Sequence, residues 1–246
     1  MQNLSSAVSQ QLALAVSQIH RSHSLEQLQK NFLSIAPRFV DAHAYGFYLF
    51  DDNMRTLKVE AQHAKAAFLN EYEQMRSMDP LFRDLVARKT FTHSLALYDR
   101  AEWRKQPLHD FLSQWDLDYS IEAPLIHEGK VSGTLNFAIG GDKYFAKDDL
   151  KLARFLCEEF SHCYSRILEF ASLKKQGEAR LQEKPGFSEL GVRSQQVLQL
   201  ILQGKNNRAM AMHLGISENT VRYHVKQLYR VFDVNNRAAL VRRLLN

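Results

Sequence analysis

A chain of 246 residues that is 45% hydrophobic and 11% aromatic has the composition of a folded protein, with room for one large domain or two ordinary ones. That excludes a disordered tail, and no apolar run approaches the roughly 18 to 20 residues that cross a bilayer. The formal net charge of +5 is mild, but nine basic residues against three acids put +6 between Glu189 and Asn246 and leave −1 before it, a distribution that suits a polyanion partner for the small basic part.

The opening stretch, MQNLSSAVSQQLALAVSQIH, has no basic segment ahead of its apolar positions and does not read as a secretory signal. Ser5 to Ile19 and Ser24 to Val40 carry apolar residues at threes and fours and predict helices. AYGFYLF, Ala44 to Phe50, is aromatic-rich and bounded by Asp51-Asp52-Asn53, so it predicts a strand entering a turn, with Thr56 to Ala61 as its hairpin partner. Short helices fit Ala64 to Arg76, Pro80 to Arg88 and Gln106 to Gln114. Ile121 to Ile126 and Val131 to Ala138 flank His127-Glu128-Gly129-Lys130, a hairpin by composition. Asp148 to Lys174 predicts a long amphipathic helix. Cys157 and Cys163 lie on different faces of it, so buried thiols in a reducing compartment are expected, and the localisation reads as cytoplasmic. Helices flanking an antiparallel sheet make an α+β sensor-type fold over residues 1–173. Lys174 to Ser188, charged and punctuated by Gly177 and Pro185-Gly186, reads as a linker.

From 189 to 246 every signal is helical: Ser194 to Leu202, Asn207 to Leu214, Glu218 to Val231 and Asn236 to Leu245. Gly215 is placed to end the second of these, and Ser217 to cap the third. In the third, Val221, Val225 and Leu228 form the apolar stripe, which turns Asn219, Thr220, Arg222, Tyr223 and Lys226 outward. This is the anatomy of a helix-turn-helix, whose second helix reads base edges while neighbouring cations hold phosphates. Asn207, Arg208 and Arg230 join the expected DNA-binding set, with Arg222 suited to guanine and Asn219 to adenine. A small bundle with a solvated polar face is the plain alternative.

The pattern Arg193, Val197-Leu198, Gly204, Asn207, Ala211, Leu214-Gly215-Ile216-Ser217, Thr220-Val221, His224-Val225, Leu228-Tyr229, Val234, Asn236-Arg237 and Ala239 resembles the C-terminal DNA-binding domain of the LuxR family of bacterial transcription regulators. The usual first-helix glutamates are here Ser194 and Gln196, and a usual lysine-glutamate pair is Arg208-Ala209. The resemblance implies a homodimer on double-stranded DNA with an inverted-repeat operator.

Residues from about Asp79 to Ala138 resemble the autoinducer-binding domain of the quorum-sensing members, a GAF/PAS-like sensor. Asp79-Pro80 matches an Asp-Pro whose carboxylate accepts a hydrogen bond from the ligand amide. Ala87 to Ser94 resembles the segment that carries a pocket tryptophan, and Gly133 to Ala138 a Gly-x-Leu-Ser-x-Ala strand. Departures are His93 for that tryptophan, Ser120 for a glycine, and Asn136 for a serine or threonine. The family's upstream tryptophan and tyrosine fall at Ala66 and Asn70, with Phe68 and Tyr72 nearby but out of register. The resemblance with these departures points to a solo regulator whose small-molecule signal is not an ordinary acyl-homoserine lactone, with a lactone receptor as the alternative. Asp79, Tyr72, His93, Trp103, Tyr119 and Asn136 are the candidate ligand contacts. Two of them have a plainer role: Asp79 can simply cap the helix that starts at Pro80, and His93 can be a packed core histidine. Tyr45, Phe47 and Leu49 read as core. The alternative function is a ligand-independent regulator whose front domain dimerises or binds a protein.

An enzyme is not expected, nor any cofactor, metal or membrane association. The sequence has no HExxH, GxSxG or phosphate-binding glycine loop, and His20-x-x-His23 is a lone pair.

Overall fold

The computed structural model describes residues 6–141 and 143–245, which fall into two compact units divided between Phe170 and Ala171.

In the first unit, α1 (Ser6–His20) and α2 (Leu25–Ile35) precede β1 (Ala44–Phe50) and β2 (Thr56–Gln62). Ser24 caps α2 by accepting from the Gln27 amide. Next come α3 (Ala66–Met75), α4 (Pro80–Arg88), β3 (Thr92–His93), α5 (Ser94–Leu97), α6 (Arg100–Trp103) and α7 (Pro107–Ser113). The long strands β4 (Tyr119–His127) and β5 (Lys130–Ile139) are followed by α8 (Lys147–Gln182). The β4–β5 hairpin turns on Glu128 and Gly129, both at positive φ (48° and 72°), the two-residue turn whose twist suits paired strands.

The five strands form one antiparallel sheet in the order β2-β1-β5-β4-β3. Register assigns its faces. Phe47, Leu135 and Ala123 lie in one row, with Tyr45, Phe137 and Ile121 in the next on the same face. Phe32 of α2 packs there edge-on, 5.9 Å from Phe47, 5.6 Å from Phe137 and 5.4 Å from Phe160 of α8. Tyr45, Phe47 and Leu49 are thus core, as expected. The opposite face carries Gly46, Asn136 and Glu122 in one row and Tyr48, Thr134 and Pro124 in the next.

Two outcomes differ from expectation. Helix α8 continues past Lys174 to Gln182. One interior glycine, Gly177, costs about 1 kcal/mol, which the flanking Lys, Gln, Ala and Arg residues offset by their helix propensity. The turn signal that does hold is Gly186, at φ 88°. The elements β3, α5 and α6 had no counterpart in the sequence reading, because segments of two to four residues are too short to show a period.

The second unit holds α9 (Val192–Leu202), α10 (Asn207–Leu214), α11 (Glu218–Val231) and α12 (Arg237–Leu245). Val197, Leu198, Met210, Val221, Leu228 and Leu240 are its fully buried centre.

Candidate functional sites: a recognition helix and a carboxyl-lined cavity

Helix α10 ends at Gly215, whose left-handed backbone (φ 64°, ψ 36°) returns its amide to the Ala211 carbonyl. Ser217 then starts α11, its Oγ accepting from the Thr220 amide at 3.0 Å. Val221 and Leu228 are buried and Val225 is partly so, which fixes the rotation of the helix. Asn219, Arg222, Tyr223, Lys226 and Arg230 then fall within an arc of about 100° on the opposite side. All five are exposed, as are Thr220 and Arg208, while Asn207 is half-buried. Arg222 donates to Asn219 Oδ1 at 3.3 Å and lies 3.8 Å from Glu218. Those exposed contacts are weak and yield readily to a phosphate or a base. Arg230 donates to Gln227. One cation of the basic tail is structural: Arg237 donates to the carbonyls of Ile201 and Lys205, tying α12 to the end of α9.

In the first unit, the face bearing Glu122 and Asn136 borders a cavity of about 50 Å³, roofed by side chains of α3 and α7. Asp79 is fully buried at the start of α4 and accepts from the amides of Leu81 (2.7 Å) and Phe82 (3.2 Å). The capping role is therefore real, but it uses only Oδ1. The other oxygen, Oδ2, lies 2.8 Å from the Tyr72 hydroxyl, which is also 3.1 Å from Glu122 Oε1. Glu122 Oε2 and Asn136 Oδ1 are buried and have no partner. Burial, followed by the Asp79 charge, pushes the Glu122 carboxyl well above the ordinary range. Burial also raises Asp79, against the hydrogen bonds from Tyr72, Phe82, Leu81 and Glu122 that pull it down.

The structure thus brings Tyr72, Asp79 and Asn136 to one cavity and places the other three candidates elsewhere. His93 pairs with Ile121 on β4 and so lies on the opposite face, half-buried beside Phe91, where burial and then Arg154 lower its pKa. Trp103 is fully buried and donates its indole N–H to the Asp118 carbonyl at 2.7 Å, a packing role. Tyr119 shares the face of His93 and Ile121 and is not among the cavity residues. Phe68, out of register with the family pattern, does line the cavity and stacks parallel to Tyr72 at 6.1 Å. Glu122 was missed by sequence reasoning; the available signal was a lone acid among apolar neighbours in YSIEAPLI.

Residues 188–244 match the family model described as bacterial regulatory proteins, luxR family. The C-terminal unit is a LuxR-family helix-turn-helix domain. Over 56 residues, 23% of this chain, the protein is 41% identical to the two-component response regulator PprB of Pseudomonas aeruginosa, a match spanning 20% of that relative's length. Among solved structures, Escherichia coli SdiA is 18% identical over 96% of each chain, with a TM-score of 0.49. The N-acylhomoserine lactone dependent LuxR family transcription factor CepR2 of Burkholderia cenocepacia is 12% identical over 64% of this chain and 95% of its own, with a TM-score of 0.47. A GAF domain from an Acinetobacter phosphoenolpyruvate-protein phosphotransferase is 15% identical over 66% of this chain and 95% of its own, with a TM-score of 0.47. Beside the LuxR-family domain, no described helix is long and apolar enough to cross a membrane.

Proposed function

We propose that this chain is a cytoplasmic, homodimeric transcription regulator of the quorum-sensing LuxR type, which binds an inverted-repeat operator under the control of a small molecule held in its first unit. The observation that carries the DNA-binding reading is the geometry of α11. Its apolar stripe is buried, and Asn219, Arg222, Tyr223, Lys226 and Arg230 are presented together on the outer side. In that arrangement Arg222 reads a base edge, and Lys226 and Arg230 hold phosphates. Arg222→Ala should cost about 1 to 3 kcal/mol of operator binding while leaving the oligomeric state unchanged. Unchanged operator affinity in a gel-shift titration would count against this reading.

Ligand control is supported by the cavity, whose buried wall holds polar atoms left without partners. Native interiors rarely leave such atoms unpaired unless something else satisfies them. A second reading has its own observation. At about 50 Å³ the cavity is far smaller than an ordinary ligand pocket, which suits a ligand-independent regulator whose first unit serves dimerisation or a protein partner. Ligand-induced stabilisation of the first unit separates the two.

A further inference from the structure

The polar wall of this cavity has a definite character. It presents two carboxyls, and none of its described lining residues is a lysine, arginine or histidine. The nearby guanidinium of Arg76 is already engaged by Glu73, Thr56 and the Met54 carbonyl, and it packs over the Phe50 and Phe82 rings. Tyr72 has one hydroxyl hydrogen yet bonds two carboxyls, at 2.8 and 3.1 Å. The shorter contact takes the Tyr72 hydrogen to Asp79, and a proton on Glu122, whose pKa is raised by burial and then by Asp79, serves either the longer contact or the Asp79 carboxyl beside it. The two neighbouring carboxyls share that proton, and Glu122 Oε2 has no hydrogen-bond partner. Tyr48 and Tyr72 both line the cavity beside these acceptors, their rings edge to face with centroids 6.2 Å apart.

We propose that the cavity binds a small primary amine with an apolar remainder, its ammonium held by Glu122 and Asp79. This rests on the reading that the first unit is a ligand sensor, and it names the ligand's chemistry. An ammonium supplies three N–H donors, enough for the unpaired Glu122 Oε2 and Asn136 Oδ1, and its charge is balanced by the carboxyls. An acyl-homoserine lactone is neutral and brings no counter-charge to the two carboxyls. An anionic ligand would find no cation. On binding, the ammonium makes ionisation of Glu122 favourable, so the proton on its carboxyl passes to solvent and the site becomes two carboxylates around one cation. The groups that set this titration are Tyr48 on β1, Tyr72 on α3, Arg76 after it, and Asp79 at the start of α4. The cavity as it stands takes roughly four non-hydrogen atoms. A longer tail enters by displacing Phe68 and Leu69, the partly buried members of its roof.

The test uses the full chain and follows thermal unfolding by tryptophan fluorescence. The probes are n-butylamine, isopentylamine and phenethylamine, set against 1-butanol, phenethyl alcohol, butyrate and butanoyl-homoserine lactone. The proposal expects stabilisation by an amine at concentrations where its matching alcohol has none. It also expects proton release on binding, seen as calorimetric heats that vary with the buffer's ionisation enthalpy. Glu122→Gln should still unfold cooperatively and should lose at least about tenfold in amine affinity. Stabilisation by the lactone or the alcohols, with the amines inert, overturns the amine assignment and leaves ligand control standing. Amine binding unchanged in Glu122→Gln overturns the site. No stabilisation by any probe removes both the amine assignment and the support for ligand control.

Discussion

Glu122→Gln also tests, without any ligand, whether the buried carboxyl keeps its proton in the folded protein. Burial is the main reason its pKa is raised, so the folded chain holds a proton that the unfolded chain releases near the ordinary value of 4.5. Stability from this group is therefore fully present below that ordinary value and is lost as pH rises through the folded value. Across the interval between the two, each pH unit costs about 1.4 kcal/mol. Glutamine reproduces the protonated shape, with an amide N–H to offer Tyr72 or Asp79, and does not titrate. From about pH 5 upward, the variant should gain on the parent by about 1.4 kcal/mol per pH unit, then level once the pH passes the folded pKa. Both tryptophans, Trp103 and Trp115, lie in the first unit, so their fluorescence during urea unfolding reports that unit alone. Carboxyls remote from the cavity contribute nearly equally to both proteins and cancel in the difference, which leaves Glu122 and its neighbour Asp79. Parallel stability curves between about pH 5 and 8 would refute the argument, because they would mean that Glu122 is ionised when folded.

Two further outcomes concern the DNA-binding unit. Lys226→Ala should reduce the slope of log affinity against log salt by about one, as expected for one lost phosphate contact; an unmoved slope would assign Lys226 to a base or to packing. Ser217→Ala removes the cap on the Thr220 amide and should destabilise the unit by about 1 kcal/mol in amide exchange of α11, with Ser217→Asp largely restoring it.

The division between what sequence and tertiary structure decide runs along the chain. In the second unit, the deciding interactions are local. A left-handed glycine at 215, a cap at Ser217 and a stripe at Val221, Val225 and Leu228 all lie within fourteen consecutive residues. Helix periodicity converts those spacings directly into an outward face, so α10 and α11 have the expected bounds and the expected residues outside. The role of Arg237 was not legible in the same way, because its partners Ile201 and Lys205 lie on another helix and its end.

The first unit differs because its site is assembled across the sheet. Asp79 was legible from Asp-Pro at a helix start, and Asn136 and Tyr72 from the family pattern and its near miss. His93, Trp103 and Tyr119 were equally plausible by chemistry, but strand parity and packing turned them elsewhere. Glu122 reaches Tyr72 across fifty positions of sequence, and only the pairing of β4 with β5 sets it in the row of Asn136 and Gly46 beneath α3. A strand's alternation says which residues share a face, but not which face the helices leave hollow. The amino-acid sequence by itself determined the helix-turn-helix and its outward cations. Only the tertiary structure decided that two carboxyls meet in one buried cavity, because that depends on the register of strands and the rotation of helices far apart in the chain.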